Sequence, residues 1–113
     1  MNQNEKADSV FINAVKLWQK KGDKNGEAKA QFKIGRIWQS FSGYKEALEH
    51  YNQSLALEEE LGNKKDIGVS LYQMGSVYDD LGEFLPADEN TRRAYDIFKE
   101  LGDQKRMAIC LNN

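Results

Sequence analysis

The chain has 113 residues and a formal net charge of −2, and 30% of its residues are charged and 40% hydrophobic. This length allows one domain at most, and this composition is typical of a soluble, helix-rich protein. The negative charge balance argues against a nucleic-acid partner, because such proteins are normally basic.

The first predicted helix runs from about residue 5 to residue 21 and ends at Gly22, which suits a left-handed C-terminal cap. After a turn at 23–26, a second helix covers 27–41 and breaks at 42–43. A third covers 44–61, a fourth 64–81 and a fifth 84–101, and a sixth begins near 104. Pro86 falls in the first turn of the fifth helix, where its missing N–H costs nothing.

These elements recur with a spacing of 40 residues. The recurring small residues are Gly22, Gly62 and Gly102; Gly35 and Gly75; and Ala7, Ala47 and Ala87. A fixed period of this size predicts stacked helical units within one domain, 1–113, made of a leading helix at 5–21, a first repeat at 24–61, a second at 64–101 and the start of a third at 104–113. Small side chains allow close helix axes, so the Gly35/Gly75 column and the Ala7/Ala47/Ala87 column should mark helix crossings. The large residues between them are predicted to pack in the core: Phe11, Trp38, Tyr51 and Tyr78.

At these positions the chain resembles the tetratricopeptide repeat family over essentially its whole length. The first unit has Ile34-Gly35, Trp38, Phe41-Ser42-Gly43-Tyr44, Ala47 and Tyr51, and the second has Leu71, Met74-Gly75, Tyr78, Leu81-Gly82-Glu83-Phe84, Ala87 and Ala94. The common unit of that family has about 34 residues, so the longer period is similar to the long-helix subgroup of kinesin-light-chain-like, spindle-orientation-adaptor-like and bacterial regulatory members. Gln31 and Thr91 depart from the pattern, since they stand where a bulky residue and an aromatic residue are usual.

The resemblance implies an all-α, right-handed solenoid of antiparallel helix pairs with about six helices. It also implies a protein-binding scaffold without catalysis, whose ligand lies in a concave groove lined by the second, fourth and sixth helices. Helical phase assigns to that groove Lys29, Phe32, Lys33, Arg36, Gln39, Tyr72, Gln73, Ser76, Asp79, Asn112 and Asn113.

Two features of this set have alternative interpretations. Phe32 and Tyr72 lie one period apart and are either peptide anchors or packing residues against a neighbouring helix. Lys29, Lys33 and Arg36 share one helical stripe, which either holds an acidic peptide or a free carboxylate or is a solvated face. Phe32 and Arg36 also stand where a carboxylate clamp has its first lysine and asparagine, so clamp-type binding of chaperone tails is not predicted.

Nothing in the sequence predicts catalysis, a metal or a cofactor. Adjacent residues on a helix point about 100 degrees apart, so Asp79 and Asp80 do not converge on a metal. Residues 58–60, three consecutive glutamates, are interpreted as a solvated helix end. His50 is the only histidine, and Cys110 is the only cysteine, which excludes an internal disulfide. The residues equivalent to Cys110 are small, which favours helix packing over reactivity.

The N-terminus has no apolar core for a signal peptide, and no apolar run approaches the ~18 residues that span a bilayer. We therefore expect a cytoplasmic protein that does not bind membranes.

Both ends of the array lack a polar cap. We expect Phe11, Val15 and Trp18 to be partly exposed at one end. At the other, residues 109–111 should form an apolar patch. These ends indicate either a fragment of a longer array or a homo-oligomer formed through the open ends. Two functions therefore stand beside the peptide-binding scaffold: an effector-sensing regulatory domain of a larger signalling protein, and a self-assembling repeat unit.

Overall fold

A computed structural model describes the backbone of residues 3–112 and the side chains of residue 9 and residues 12–112. This part of the chain consists of six helices and contains no strand: α1 Gln3–Lys21, α2 Lys24–Ser40, α3 Tyr44–Leu61, α4 Lys64–Asp80, α5 Phe84–Leu101 and α6 Gln104–Leu111. Each helix packs mainly on the helices that precede and follow it. The predicted all-α helical repeat is confirmed. None of these described helices is long and apolar enough to cross a bilayer.

The start of α2 differs from the prediction. The turn assigned to 23–26 is wrong beyond its first residue, because α2 begins at Lys24. The Asp23 carboxylate accepts a hydrogen bond of 2.9 Å from the backbone N–H of Gly26. Such N-capping satisfies a backbone donor that has no partner within the helix, so the helix starts three residues earlier than predicted. The ends of α2 and α4 each fall one residue before the predicted position.

The helix crossings lie at the predicted glycines. A Cβ atom on Gly35 would lie 2.7 Å from the ring of Tyr51 on α3, and one on Gly75 would lie 2.6 Å from the Thr91 hydroxyl oxygen on α5. Ala47 is likewise buried within its hairpin. The small residues therefore allow α2 to approach α3 closely and α4 to approach α5 closely. Ala7 lies outside the described side chains.

Each of the two complete hairpins, α2–α3 and α4–α5, contains an equivalent ion pair between its two helices. Lys24 Nζ lies 2.8 Å from Glu60 Oε2, which ties the start of α2 to the end of α3. Lys64 and Glu100 form the same pair one period later, between α4 and α5. The 40-residue period thus repeats contacts as well as residue types.

The core runs along the stack between the helices. Its central cluster consists of Ala47, Tyr51, Leu55, Leu71, Met74, Val77, Ala94, Phe98 and Cys110. Tyr51 is fully buried, and Trp38 is half-buried against this cluster, as predicted. Tyr78 is half-buried. Phe11 lies outside the described side chains.

The two ends differ from the prediction at one residue each. Val15 is buried, because it packs with Ala30 and Ile34 of α2, whereas Trp18 is partly exposed as predicted. Cys110 is buried in the central cluster and so does not belong to the predicted apolar patch. Ile109 and Leu111 are exposed, as predicted.

Candidate peptide-binding groove

A depression lies between α2, α4 and the end of α3. It has a volume of about 270 Å³ and is lined by Lys29, Phe32, Lys33, Arg36, Glu58, Asp66 and Val69. Four of the predicted groove residues, all from α2, therefore lie together. The other three lining residues come from the end of α3 and the first half of α4.

The rim of this depression is basic along α2. Lys29, Lys33 and Arg36 are all exposed. Lys33 and Arg36 continue into a neighbouring depression that also contains Ile37 and Ser40. Their spacing of four and three residues puts the charges above one another on one face of the helix. The predicted stripe is thus a continuous cationic edge.

Phe32 is half-buried and lies beneath this edge. Its ring centroid is 5.3 Å from that of Tyr51, and the two rings are tilted by 53°. This separation is typical of a favourable aromatic pair. Phe32 therefore packs on a neighbouring helix and still lines the depression. Tyr72, its equivalent on α4, is half-buried against the same central cluster.

Gln39 links three helices through its side-chain amide. The Tyr51 hydroxyl donates a 2.7 Å hydrogen bond to Gln39 Oε1, and Gln39 Nε2 donates a 3.4 Å bond to the Ser76 hydroxyl. Burial raises the pKa of Tyr51 well above its usual range, and the positive charge of Arg36 opposes this only in part. The phenol therefore stays protonated and remains a donor. Gln39 and Ser76 are engaged with each other, so they help hold α2 against α4.

The remaining predicted residues that the structure describes do not line the α2 depression. Gln73 is half-buried on α4. Asp79 lines a separate depression between α4, α5 and α6, which also contains Phe84, Thr91 and Leu111. Asn112 is exposed, and Asn113 lies outside the described residues.

Glu58 is a site residue that the sequence interpretation missed. Its predicted place on a solvated helix end is wrong, because only 5% of the residue is exposed. Its Oε1 atom lies 2.8 Å from the Ser54 hydroxyl, and its Oε2 atom lies 2.9 Å from the Ser70 hydroxyl of α4. Glu59 and Glu60 are exposed as predicted. The side chain of Glu58 thus turns inward and reaches the floor of the depression.

The electrostatics of Glu58 follow from this position. Burial raises the pKa of its carboxyl group to about 7, while the hydrogen bonds from Ser54 and Ser70 oppose the rise and the charges of Asp66 and Glu59 add to it. Loss of hydration penalises the charged carboxylate more than the neutral acid. Glu58 is therefore a carboxyl group that titrates near neutral pH.

The period contains the signal that could have revealed this burial. Glu58 is equivalent to Trp18 one period earlier and to Phe98 one period later, which are large apolar residues. Its serine partners are matched in the next repeat by Ala94 and Cys110. One interface of the stack thus carries a polar network at positions that are apolar elsewhere. Because Glu58 is one of three consecutive glutamates, the sequence favoured a solvated helix end over a buried position.

The departure at Gln31 has a structural explanation. Gln31 is buried, and its Oε1 atom lies 2.7 Å from His50 Nδ1. A buried amide costs free energy unless it is hydrogen-bonded, and His50 supplies that partner.

The Cys110 thiol is buried in the central cluster, and this burial raises its pKa. Within the described residues, no group of three or more histidine, cysteine or carboxylate side chains is placed to hold a metal ion.

Comparison with known proteins identifies the repeat. The family model described as tetratricopeptide repeat matches residues 42–100, which is more than half of the 113 residues. The chain belongs to the tetratricopeptide repeat family. No curated protein matches it.

The matched segment of this tetratricopeptide repeat protein includes α3, α4 and all of α5 except its last residue. Repeats of this family generally mediate protein–protein interactions and form non-catalytic scaffolds. Assignment to the long-period subgroup remains a prediction.

Proposed function

We propose that the chain is a non-catalytic scaffold that binds an acidic peptide or helix in the groove between α2 and α4. The observation that carries this proposal is the basic rim of Lys29, Lys33 and Arg36 above a partly apolar floor. Charge complementarity of this kind favours an acidic partner and excludes a basic one. Because the repeats already form a stacked framework, the groove is preformed and little ordering is required on binding.

The floor and the rim contribute differently. Phe32 and Val69 provide apolar surface that a ligand side chain would cover, which supplies affinity. The three cations are exposed, so their attraction to a ligand is screened by salt and acts mainly on the association rate and specificity. We therefore expect the ligand to combine acidic residues with an apolar residue that reaches the floor.

The proposal is tested with two acetylated and amidated peptides of opposite charge, Glu-Glu-Leu-Glu-Glu-Leu and Lys-Lys-Leu-Lys-Lys-Leu. Isothermal titration calorimetry should detect binding of the acidic peptide alone. Lys33→Glu and Arg36→Glu should each weaken that binding by about tenfold, because close charges interact with energies on the order of 1–4 kcal/mol at a protein surface.

Lys45→Glu and Arg93→Glu are matched controls, because both residues are exposed on helices of the other type. They carry the same charge change outside the groove. Equal loss of affinity in the groove variants and in the controls would reflect net charge alone and would contradict the proposed groove.

Self-association is a second candidate function. It is favoured by exposed apolar side chains at the α5–α6 side of the stack. Phe84 is 68% exposed, Leu85 is 85% exposed and Leu111 is 71% exposed. Exposed apolar side chains in one region of a surface are typical of interaction sites. Light scattering over a wide concentration range distinguishes this function: a constant mass near 13.0 kDa contradicts it, and a discrete dimer supports it.

A sensor of a small effector is the remaining alternative. It predicts that a small carboxylate such as glutarate raises the melting temperature where the acidic peptide does not, since a ligand that binds only the folded state stabilises it.

A further inference from the structure

The hydrogen bonds around Glu58 require more protons than an ionised carboxylate allows. Ser54 Oγ lies 2.8 Å from the Ala28 carbonyl oxygen and 2.8 Å from Glu58 Oε1. A serine hydroxyl has one proton to donate, and a carbonyl oxygen only accepts. With an ionised Glu58, one of these two contacts would join two oxygen atoms without a proton between them.

A neutral carboxylic acid satisfies every group. The Ser70 hydroxyl then donates to Glu58 Oε2, the acid donates from Oε1 to the Ser54 hydroxyl, and Ser54 donates to the Ala28 carbonyl. Each of these three contacts then has one proton, and the Ser70 hydroxyl also lies 3.2 Å from Glu58 Oε1, which is a longer second contact of the same proton. The geometry therefore favours the protonated form without reference to any pKa.

Several charged groups surround this acid. Lys29, Lys33 and Arg36 of α2 and Asp66 of α4 line the same depression, and Glu59 follows it on α3. The cations are exposed at the rim, where water screens them, and Asp66 and Glu59 disfavour a further negative charge. Glu58 is the buried titratable group of this set, and its ionisation would change the charge of the floor.

We propose that the proton on Glu58 controls the groove, so that an acidic peptide binds well while Glu58 is neutral and poorly once the proton is lost. This inference rests on the proposed binding of acidic peptides. Loss of the proton puts a negative charge beneath the peptide and opposes the attraction of the rim. By thermodynamic reciprocity, the bound acidic peptide makes Glu58 hold its proton more tightly.

The titration falls in an accessible range, since the pKa of Glu58 is raised to about 7. At an effective dielectric constant near 20, two charges roughly 8–10 Å apart repel enough to change affinity by on the order of tenfold. The acidic peptide's own carboxyl groups, with an unperturbed pKa of about 4.3, stay ionised between about pH 6 and about pH 8.

Glu58→Gln is the decisive variant, because glutamine has the shape of the neutral acid. Its carbonyl oxygen accepts from Ser70 and its amide donates to Ser54. For Glu-Glu-Leu-Glu-Glu-Leu, the wild-type affinity should fall by about tenfold from about pH 6 to about pH 8, whereas Glu58→Gln should keep the higher affinity throughout. The same pH dependence in both proteins would overturn the proposal.

Two control variants separate Glu58 from other groups. Glu59→Gln removes an exposed neighbouring carboxylate, and His50→Gln removes the only histidine of the chain. Both should retain the wild-type pH dependence of binding. Its loss in His50→Gln would assign the effect to the histidine and overturn the role of Glu58.

A second measurement is independent of any ligand. Carbon-13 NMR of the Glu58 carboxyl group should show a titration midpoint near neutral pH, and a midpoint in the ordinary range for glutamate would overturn the proposal. If Glu58 titrates near neutral pH but the peptide binds at neither pH, the proposed groove function fails and the linkage fails with it. If the peptide binds with no dependence on Glu58, the linkage alone fails.

Discussion

Ser42 occupies, with φ of 64°, the same turn position that Gly82 occupies one period later with φ of 77°. This left-handed conformation brings a side chain close to the following carbonyl oxygen, which costs roughly 1–2 kcal/mol for a residue other than glycine. Among the described residues, Ser42 is the only non-glycine with positive φ. The turn before α3 is thus a strained copy of the turn before α5.

Ser42→Gly is expected to raise the free energy of unfolding by about 0.5–1 kcal/mol, because the gain in backbone conformation exceeds the entropy lost by glycine. Gly82→Ser should lower it by a similar amount, and chemical denaturation measures both. Ser42→Ala is the control, since it removes the hydroxyl and keeps the strain. If Ser42→Ala raised the free energy of unfolding as much as Ser42→Gly, the gain would come from removal of the hydroxyl and not from relief of backbone strain.

Gly75→Ala should destabilise the protein by about 1–3 kcal/mol, although alanine is the better helix former. The added Cβ would lie 2.6 Å from the Thr91 hydroxyl oxygen and 3.1 Å from the Ala87 carbonyl oxygen. Urea denaturation checks the loss. Adding Thr91→Ala should recover part of it, because that change removes the nearer contact. An unchanged or raised stability in Gly75→Ala alone would contradict close packing of α4 on α5.

The stability of the wild type should depend on the proton of Glu58. Its pKa is raised to about 7 in the folded chain, from 4.5 for an unperturbed glutamate. Below the unfolded pKa both states are protonated and the contribution is fully present. As the pH rises, the unfolded chain ionises first, so stability falls until the folded carboxyl has also ionised. The loss relative to Glu58→Gln should be about 3 kcal/mol.

This comparison is made by urea denaturation of both proteins at a series of pH values. The difference between wild type and Glu58→Gln isolates the one carboxyl group, because all other titrating groups are shared. Glu59→Gln should follow the wild-type curve. A constant difference between wild type and Glu58→Gln across the range would show that Glu58 has an ordinary pKa.

Replacing the whole polar network should be tolerated where replacing one member is not. Ser54→Ala, Glu58→Met and Ser70→Ala together should leave stability near pH 8 unchanged or raise it by about 1–4 kcal/mol, since buried polar groups are often outperformed by packed apolar ones. Glu58→Ala alone should lower stability by about 2 kcal/mol at low pH, where Glu58 is neutral, because it leaves a cavity and removes the acceptor of the Ser70 hydroxyl. Thermal and urea unfolding measure both, and an unfolded triple variant would contradict this account.

The helices were predictable because their signals are local. The bounds of α3 and α5 match the prediction, since Gly62 and Gly102 each supply a left-handed cap that ends a helix regardless of its neighbours. The period located the crossings at Gly35 and Gly75 for a similar reason: the same contact recurs in each hairpin. The start of α2 at Lys24 was missed because aspartate and glycine close together in the sequence favour a turn as well as a helix start.

The site depended on contacts between helices, which local patterns do not encode. The stripe of Lys29, Lys33 and Arg36 follows from helical spacing alone, so the sequence determined the basic rim. Whether Phe32 packs on a neighbouring helix or lines the groove depends on Tyr51 of the next helix, and only the tertiary structure decided that it does both. Gln39 was assigned to the groove by its phase, whereas its amide is engaged by two other helices.

Glu58 separates what the sequence determined about this protein from what only the tertiary structure decided. By itself the sequence determined that a glutamate stands at the end of α3, that the helices repeat every 40 residues and that charge gathers along α2. Only the tertiary structure decided that this carboxyl group turns inward to Ser54 and Ser70. The physical reason is that burial is set by what a neighbouring helix places opposite a residue, and Ser70 is 12 residues away on α4.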